Sequence, residues 1–365
     1  VKITKVEGFI VQVPIRRPIE DSIHQVPVWG VPGVRISTDE GITGTGYTGT
    51  HARGDDLIVG AIERYYGPVL LGRNPLHVKE IWQDLYMGPL RWIGRSGISQ
   101  MAQSAIDIAL WDVIAKSQDK PLWQVLGASK TGPIPTYNTD AGWLNWTEEE
   151  LVSDMLRLVD QGWRAIKMKV GKPSQHEDVR RVAAVREALG DQIDLMVDAN
   201  TIWDLNTAVT TARLLEPFHL KWLEEPLHPD DISGHARLAN ATSIPLAVGE
   251  SIYSKYLFRE YMSQGAVGYV QVDVTRVGGI TEWLEVAATA ATFGLPVIPH
   301  HGDMMQVHQH VVAATRNAPM LEYIPWILDL FVDPVDVREG MLYLPDRPGA
   351  STEMRPEAFA RYRVV

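Results

Sequence analysis

The sequence predicts an α/β protein, a (β/α) TIM-type barrel carrying an α+β capping domain. Three observations predict it. Beyond residue 133, eight short apolar or β-branched runs recur, most of them followed by a helix-like segment. Before that point strands precede helices, the grammar of an α+β module. A doubly wound open sheet would announce itself with a glycine-rich phosphate turn after its first strand, and none stands there.

Taken in order, residues 1–13 and 33–48 read as strands, separated by a proline-containing stretch, 16–30, that reads as irregular. A second irregular stretch, 48–55, carries His51 and Arg53. Helical periodicity follows in 57–69, 75–86 and 97–115, the last with an apolar stripe of Ile98, Met101, Ala105 and Ile108. These elements assign residues 1–130 to the cap. The strand-like runs are 135–140, 165–170, 194–200, 222–226, 245–250, 269–273, 296–301 and 320–323, with helix-like stretches at 148–161, 177–189, 205–215 and 280–293. They assign residues 131–332 to the barrel. The turn-rich tail, 333–365, is expected to return to the cap.

Composition narrows the function. A net charge of −11 argues against nucleic-acid and membrane-surface partners, but it leaves a small anionic substrate open, because a bound divalent cation reverses the local field. The absence of cysteine excludes disulfides, zinc–thiolate sites and cysteine nucleophiles. Residues 1–13 read as a strand and not as a leader, and no apolar run reaches the length of a membrane span. The expectation is a soluble, cytoplasmic protein.

Barrel enzymes carry their chemistry at the C-terminal ends of strands. Here three strands end in acids, Asp198, Glu224 and Glu250, separated by 26 residues each time. Any one of them could be a helix cap. Three at equal spacing, each one strand–helix step from the next, predict carboxylates gathered at one height. Their mutual repulsion calls for a hard cation, and three carboxylates with open positions suit one Mg²⁺ per chain. One strand earlier, Lys167 and Lys169 flank Met168, so alternation turns both lysines to one face. Burial, like charge and a metal nearby would favour a neutral amine, a base at neutral pH. Lysines at a solvated barrel mouth are the alternative. Asp273 and His300 end the next pair of strands and could form an acid–imidazole dyad; His301, His308 and His310 read as bystanders. Glu322 ends the last strand, where in protonated form it could hydrogen-bond a substrate carboxylate. A metal flanked by two bases of different type suits abstraction of the proton α to a carboxylate.

Over essentially its whole length the chain resembles the mandelate racemase subgroup of the enolase superfamily. The resemblance rests on Lys167-Met168-Lys169, Val197-Asp198-Ala199-Asn200, Trp222-Leu223-Glu224-Glu225-Pro226, Gly249-Glu250, Asp273 with Gly278-Gly279, His300, and the segment 104–112. It implies a (β/α)7β barrel, with Asp198, Glu224 and Glu250 as metal ligands. It also implies Lys169 as the base on one face supported by Lys167, the His300–Asp273 dyad on the other, and a homo-oligomer acting on a small-molecule carboxylate. Residues 137–139, 178–181, 184–190 and 276–279 are similar to acid-sugar dehydratases of the galactarate/talarate type, while 44–48 and 92–95 resemble a cycloisomerase acting on anhydro-galactonate. Dehydration, epimerisation and cycloisomerisation all stay open at this point. In this family two capping loops set specificity. Here they would be 16–30 and 47–55, bringing His24, Tyr47, His51 and Arg53 to the substrate beside Asn200 and Trp326. Arg53 would suit the second carboxylate of a diacid, or be a solvated loop residue. The run His300-His301-Gly302-Asp303 departs from the dehydratase pattern.

Two other classes compete. A Schiff-base aldolase would use Lys169 as nucleophile, which leaves the three acids unexplained. A binding module would need no paired bases.

Overall fold

Cross-strand pairing dominates the start of the chain. β1 (Ile3–Glu20) and β2 (Gln25–Thr38) form an antiparallel hairpin, and β3 (Thr43–Tyr47) pairs with β2. The structure is a computed structural model that describes residues 1–300 and 305–364. The stretch 16–30, expected to be irregular, is mostly strand with a turn at 21–24. Its prolines misdirect the sequence reading. Pro18 and Pro27 both fall in the register shift between the pairs Pro14–Val28 and Ile19–Val26, and β1 is an edge strand of its sheet. Such a strand can spare the N–H that proline lacks. A turn at 39–42, with Gly41 at φ 79°, likewise divides the expected strand 33–48 between β2 and β3.

Helices then cover this sheet. α1 (Asp55–Ala61) runs through a π-helical turn into α2 (Gly67–Leu70), followed by α3 (Val78–Met87) and α4 (Ile98–Ser117). α4 is buried on nearly all sides, so the expected apolar stripe understates it; Ile98, at one end, is exposed. One side meets β3 so closely that a Cβ on Gly46 would stand 2.0 Å from the Ala105 carbonyl oxygen. From the other side, Gln100 donates to the Val277 carbonyl (2.8 Å), and Asp107 accepts from the Thr281 N–H and hydroxyl (2.9 and 2.6 Å). The helix thereby rivets the first module to the second.

After α5 (Leu122–Val125) the chain alternates: β4 (Ile134–Asn138), α6 (Glu148–Asp160), β5 (Ala165–Lys169), α7 (Gln175–Leu189), β6 (Asp194–Asp198), α8 (Leu205–Leu215) and β7 (Leu223–Glu224). It continues through α9 (Ile232–Ala239), β8 (Leu246–Val248), α10 (Lys255–Ser263), β9 (Tyr269–Val270), α11 (Ile280–Thr292), α12 (Met305–Ala314) and β10 (Leu321–Tyr323). Strands β4 to β9 are parallel neighbours in sequence order, and β10 pairs with β4, so the last strand lies beside the first. The expected run 296–301 contributes a single parallel bridge, Val297 to Val270. Among the described residues no ladder joins 297 to β10. The Val297 N–H donates to the carbonyl of Asn317, just ahead of β10 (2.9 Å). From β4 to β10 the sheet is therefore curled and parallel, and its seam lies between 297 and 321.

The tail serves both modules. The hairpin β11 (Asp336–Arg338) and β12 (Met341–Tyr343) adds antiparallel to β4, and α13 (Pro356–Tyr362) packs on β1, where Arg363 bridges to Val11.

Candidate active site

Strand alternation sorts the side chains of β5. Met168 packs into the apolar core outside the sheet, while Lys167 and Lys169 turn to the inner face. Register does the rest: Lys169 pairs with Asp198, and Asp198 with Glu224, so these three stand level. Glu250 does not. Glu224 pairs with Ala247, leaving Glu250 three residues further along, so equal spacing in sequence is not equal height. It still reaches its partners because β8 ends at Val248 and the chain turns at Gly249. That glycine lies so close to the next strand that a Cβ would be 2.2 Å from the Gln271 carbonyl oxygen. One oxygen each from Asp198, Glu224 and Glu250 then lies within 4.8 Å of the other two. Three carboxylates at that separation, two of them buried, form a donor set that fits one hard divalent cation.

Cationic side chains ring this triad. The Lys167 ammonium donates to Glu224 (2.6 Å) and lies 2.8 Å from Glu322; that of Lys169 donates to Asp198 (2.5 Å). Burial pulls both ammonium groups down, but the carboxylates beside them win, and both pKa values stand above the ordinary lysine value. The expectation of a neutral amine rested on burial, like charge and a nearby metal; the structure adds these direct ion pairs to that balance. Glu224 is pushed up to about 7 by burial, with Lys167 pulling the other way. Glu322 accepts from the Thr139 hydroxyl (2.7 Å).

At the other end of the triad stands the expected dyad. His300 Nδ1 lies 3.0 Å from Asp273 and its Nε2 3.0 Å from Glu250. Burial opposes the charge on this ring, but Glu250 and Asp273 raise its pKa well above the ordinary value. His308, read as a bystander, packs behind the dyad: its Nε2 accepts the Val274 N–H (3.0 Å) and lies 3.5 Å from Asp273. Three non-glycine residues just past strand ends, Asn200, Thr201 and Glu225, hold positive φ (46°, 64° and 38°). Such strain, on the order of 1–3 kcal/mol each, gathers at functional sites.

A cleft opens above the triad. His24, His51, Asn200 and Trp326 line it as expected, together with Lys167, Lys169, Glu250, His300 and Glu322. Two expected residues are elsewhere. Tyr47 is fully buried at the end of β3, packed on Phe331 in the apolar core, because strand pairing carries its side chain away from the cleft. Arg53 is exposed on its loop, outside the cleft lining. His301, Gly302 and Asp303 lie outside the described residues.

The structure adds residues that the sequence reading missed. Asp21 accepts from the His24 ring (Nδ1, 3.0 Å) and from two backbone N–H groups at the β1–β2 turn. Trp29 and Trp143 line the cleft beside Trp326. Arg276 reaches between Glu250 (3.8 Å) and Asp273 (3.7 Å), and Gln271 donates to Glu224 (2.7 Å). Gln271 had a signal in sequence, since it alternates with Asp273. The turn that presents Asp21 was hidden in a stretch read as irregular.

Comparison with known proteins agrees with this geometry. Residues 4–127 match the mandelate racemase / muconate lactonizing enzyme N-terminal domain, and residues 150–358 match the enolase C-terminal domain-like family. The chain is 36% identical to the L-talarate/galactarate dehydratase of Salmonella typhimurium, over 94% of this chain and 87% of that one. It is 34% identical to the 3,6-anhydro-alpha-L-galactonate cycloisomerase of Streptomyces coelicolor, over 99% of both. A crystal structure of a racemase from Streptomyces coelicolor A3(2) with bound magnesium superposes with a TM-score of 0.93, at 34% identity, over 99% of this chain and 100% of that one. The chain belongs to the enolase superfamily, in its mandelate racemase / muconate lactonizing enzyme family.

Proposed function

We propose that this protein is a magnesium-dependent hydro-lyase that dehydrates a sugar acid to the 2-keto-3-deoxy acid. The observation that carries this reading is the acidic triad flanked by Lys169 at one end and the His300–Asp273 dyad at the other. Likeness to a sugar-acid dehydratase over nearly the whole chain, and to a structure that holds magnesium, supports it.

Asp198, Glu224 and Glu250 would hold the ion. When bound, it supplies positive charge for the substrate carboxylate, where the abstracted electron pair accumulates. Lys169 takes the α proton at Nζ, for which it must first be neutral, and Lys167 fixes Glu224 and Glu322 in place. His300, oriented through Nδ1 by Asp273, delivers a proton from Nε2 to the departing β-hydroxyl, which leaves as water. The C–O bond breaks as the α carbon's electron pair forms the enol double bond, and the enol becomes the ketone. Asn200, His24, His51 and Trp326 contact the rest of the substrate. In this reading the parallel sheet closes as a barrel across the seam between 297 and 321. The cap comprises residues 1–130 with 333–365, and the barrel 131–332.

A second reading is epimerisation or cycloisomerisation of a related hydroxy acid. Two bases at opposite ends of the triad favour it, since either could return a proton to the α carbon. We also read the protein as a cytoplasmic homo-oligomer. Trp92 and Ile93, 97% and 79% exposed beside two arginines in an acidic chain, support association, and no described helix is long and apolar enough to cross a membrane.

The test is formation of 2-keto acid from a panel of aldonates and aldarates with Mg²⁺, by the wild type and by Glu224→Gln. Turnover by the wild type and a loss on the order of 10³-fold in the variant are expected. Undiminished turnover by the variant would remove the triad from the reaction.

A further inference from the structure

We propose that the cleft selects monocarboxylic sugar acids with an uncharged tail and rejects dicarboxylic ones. The proposal rests on the function read above and concerns the same cleft. It names the substrate class from the wall facing the triad.

That wall is an unbroken run of rings. His24 meets His51 edge to face at 4.3 Å, His51 meets Trp29 at 5.3 Å, Trp29 meets Trp326 at 5.3 Å, and Trp326 meets Trp143 at 5.6 Å. Trp143 in turn lies 5.2 Å from the Lys169 ammonium, so the run leads from the β1–β2 turn to the reacting end. Indole faces suit the C–H surface of a sugar chain or of an anhydro ring. The indole N–H groups of Trp29 and Trp143 are buried with no hydrogen-bond partner among the described residues. Both donors are neutral, so they add no charge to the wall for a second carboxylate.

A distal carboxylate needs a cation, and among the described residues this wall has none to spare. Arg53, the residue that sequence pointed to, is exposed outside the cleft. Arg276 is committed between Glu250 and Asp273. His24 faces its own acid, Asp21, at 3.0 Å. His51 is pushed down to about 4, by burial first and then by His24 and Arg276, and is neutral at pH 7. Asp21, whose charge burial opposes, is held below its ordinary value by His24 and Lys169, so it stays a carboxylate and keeps His24 paired. The far carboxylate of a diacid would find no free cation there and would lose its water uncompensated.

The test uses the full chain with Mg²⁺ and matched pairs, galactonate with galactarate and gluconate with glucarate. Affinity is read by quenching of tryptophan fluorescence, and reaction by α-proton exchange in D₂O. In at least one pair the monoacid should bind or react roughly 10²-fold better than its diacid. Equal or better binding of both diacids overturns the proposal. Asp21→Asn should narrow the ratio about tenfold by admitting the diacid, and an unchanged ratio counts against the electrostatic basis. The two readings separate cleanly. Preferential monoacid binding without exchange of any acid would sink the dehydratase reading and leave this selectivity standing.

Discussion

Lys169 and His300 occupy equivalent posts at the two ends of the acidic triad, one against Asp198 and the other against Glu250. If each works from its own side of the substrate, single substitutions should divide the chemistry between them. Lys169→Ala should lower α-proton exchange with one epimer of a sugar acid by about 10³-fold and spare the other, with His300→Asn showing the converse. Equal losses on both epimers in both variants would mean that the two residues act on one face. Much at this scale is legible in sequence, because strand alternation and strand ends are local properties. Lys167 and Lys169 share a face for that reason, and Asp198 and Glu224 stand level. Glu250 is not level, and its reach depends on a turn at Gly249 that spacing does not reveal. Tyr47 and Arg53 were expected at the substrate and lie away from the cleft, since that depends on how the strands before each loop pair.

The turn at Gly249 shows what one element's ending does for the site. A methyl group there would stand 2.2 Å from the Gln271 carbonyl oxygen, so Gly249→Ala must push β8 away from the strand that follows. Glu250 would then leave its place beside Asp198 and Glu224. Calorimetric titration should show Mg²⁺ affinity reduced by roughly 10- to 100-fold, while the urea midpoint falls more modestly; unaltered affinity would show that Glu250 is not positioned by this turn. Elements with a clear period were readable in advance, as with α8 and the helix that becomes α4. β1 was readable only as far as residue 13, because the prolines of 16–30 read as breakers, although a register shift in the hairpin accommodates them. The run 296–301 looked like any other strand, yet among its described residues it makes a single bridge, to Val270.

Across the whole molecule, burial of ionisable groups sets the response to pH. His310 on α12 is wholly enclosed, with Nδ1 accepting the Trp123 N–H (3.2 Å) and Nε2 beside the Ser351 hydroxyl (3.2 Å). Burial drives its pKa down to about 3. The unfolded chain binds a proton at this residue below about pH 6.5 and the folded chain does not. Stability from this group is therefore complete above pH 6.5 and declines as pH falls toward 3. Between pH 7 and 4.5 the loss is about 2–3 kcal/mol. Urea unfolding at the two pH values should show a smaller decline in His310→Gln than in the wild type, and an equal decline would assign the acid sensitivity to other groups. At this scale the sequence conveyed the order of modules but not the rivets between them, such as Asp107 to Thr281, whose partners are 174 residues apart.

The central claim is that a cation held by Asp198, Glu224 and Glu250 makes the α proton of a bound acid removable. Deuterium uptake from D₂O at that carbon, followed by proton NMR with Mg²⁺ and again after chelation by EDTA, tests it most directly. Uptake that needs Mg²⁺, vanishes with EDTA and returns when the ion is restored is the predicted result. Uptake indifferent to EDTA, together with trapping of substrate on Lys169 by borohydride, would contradict it.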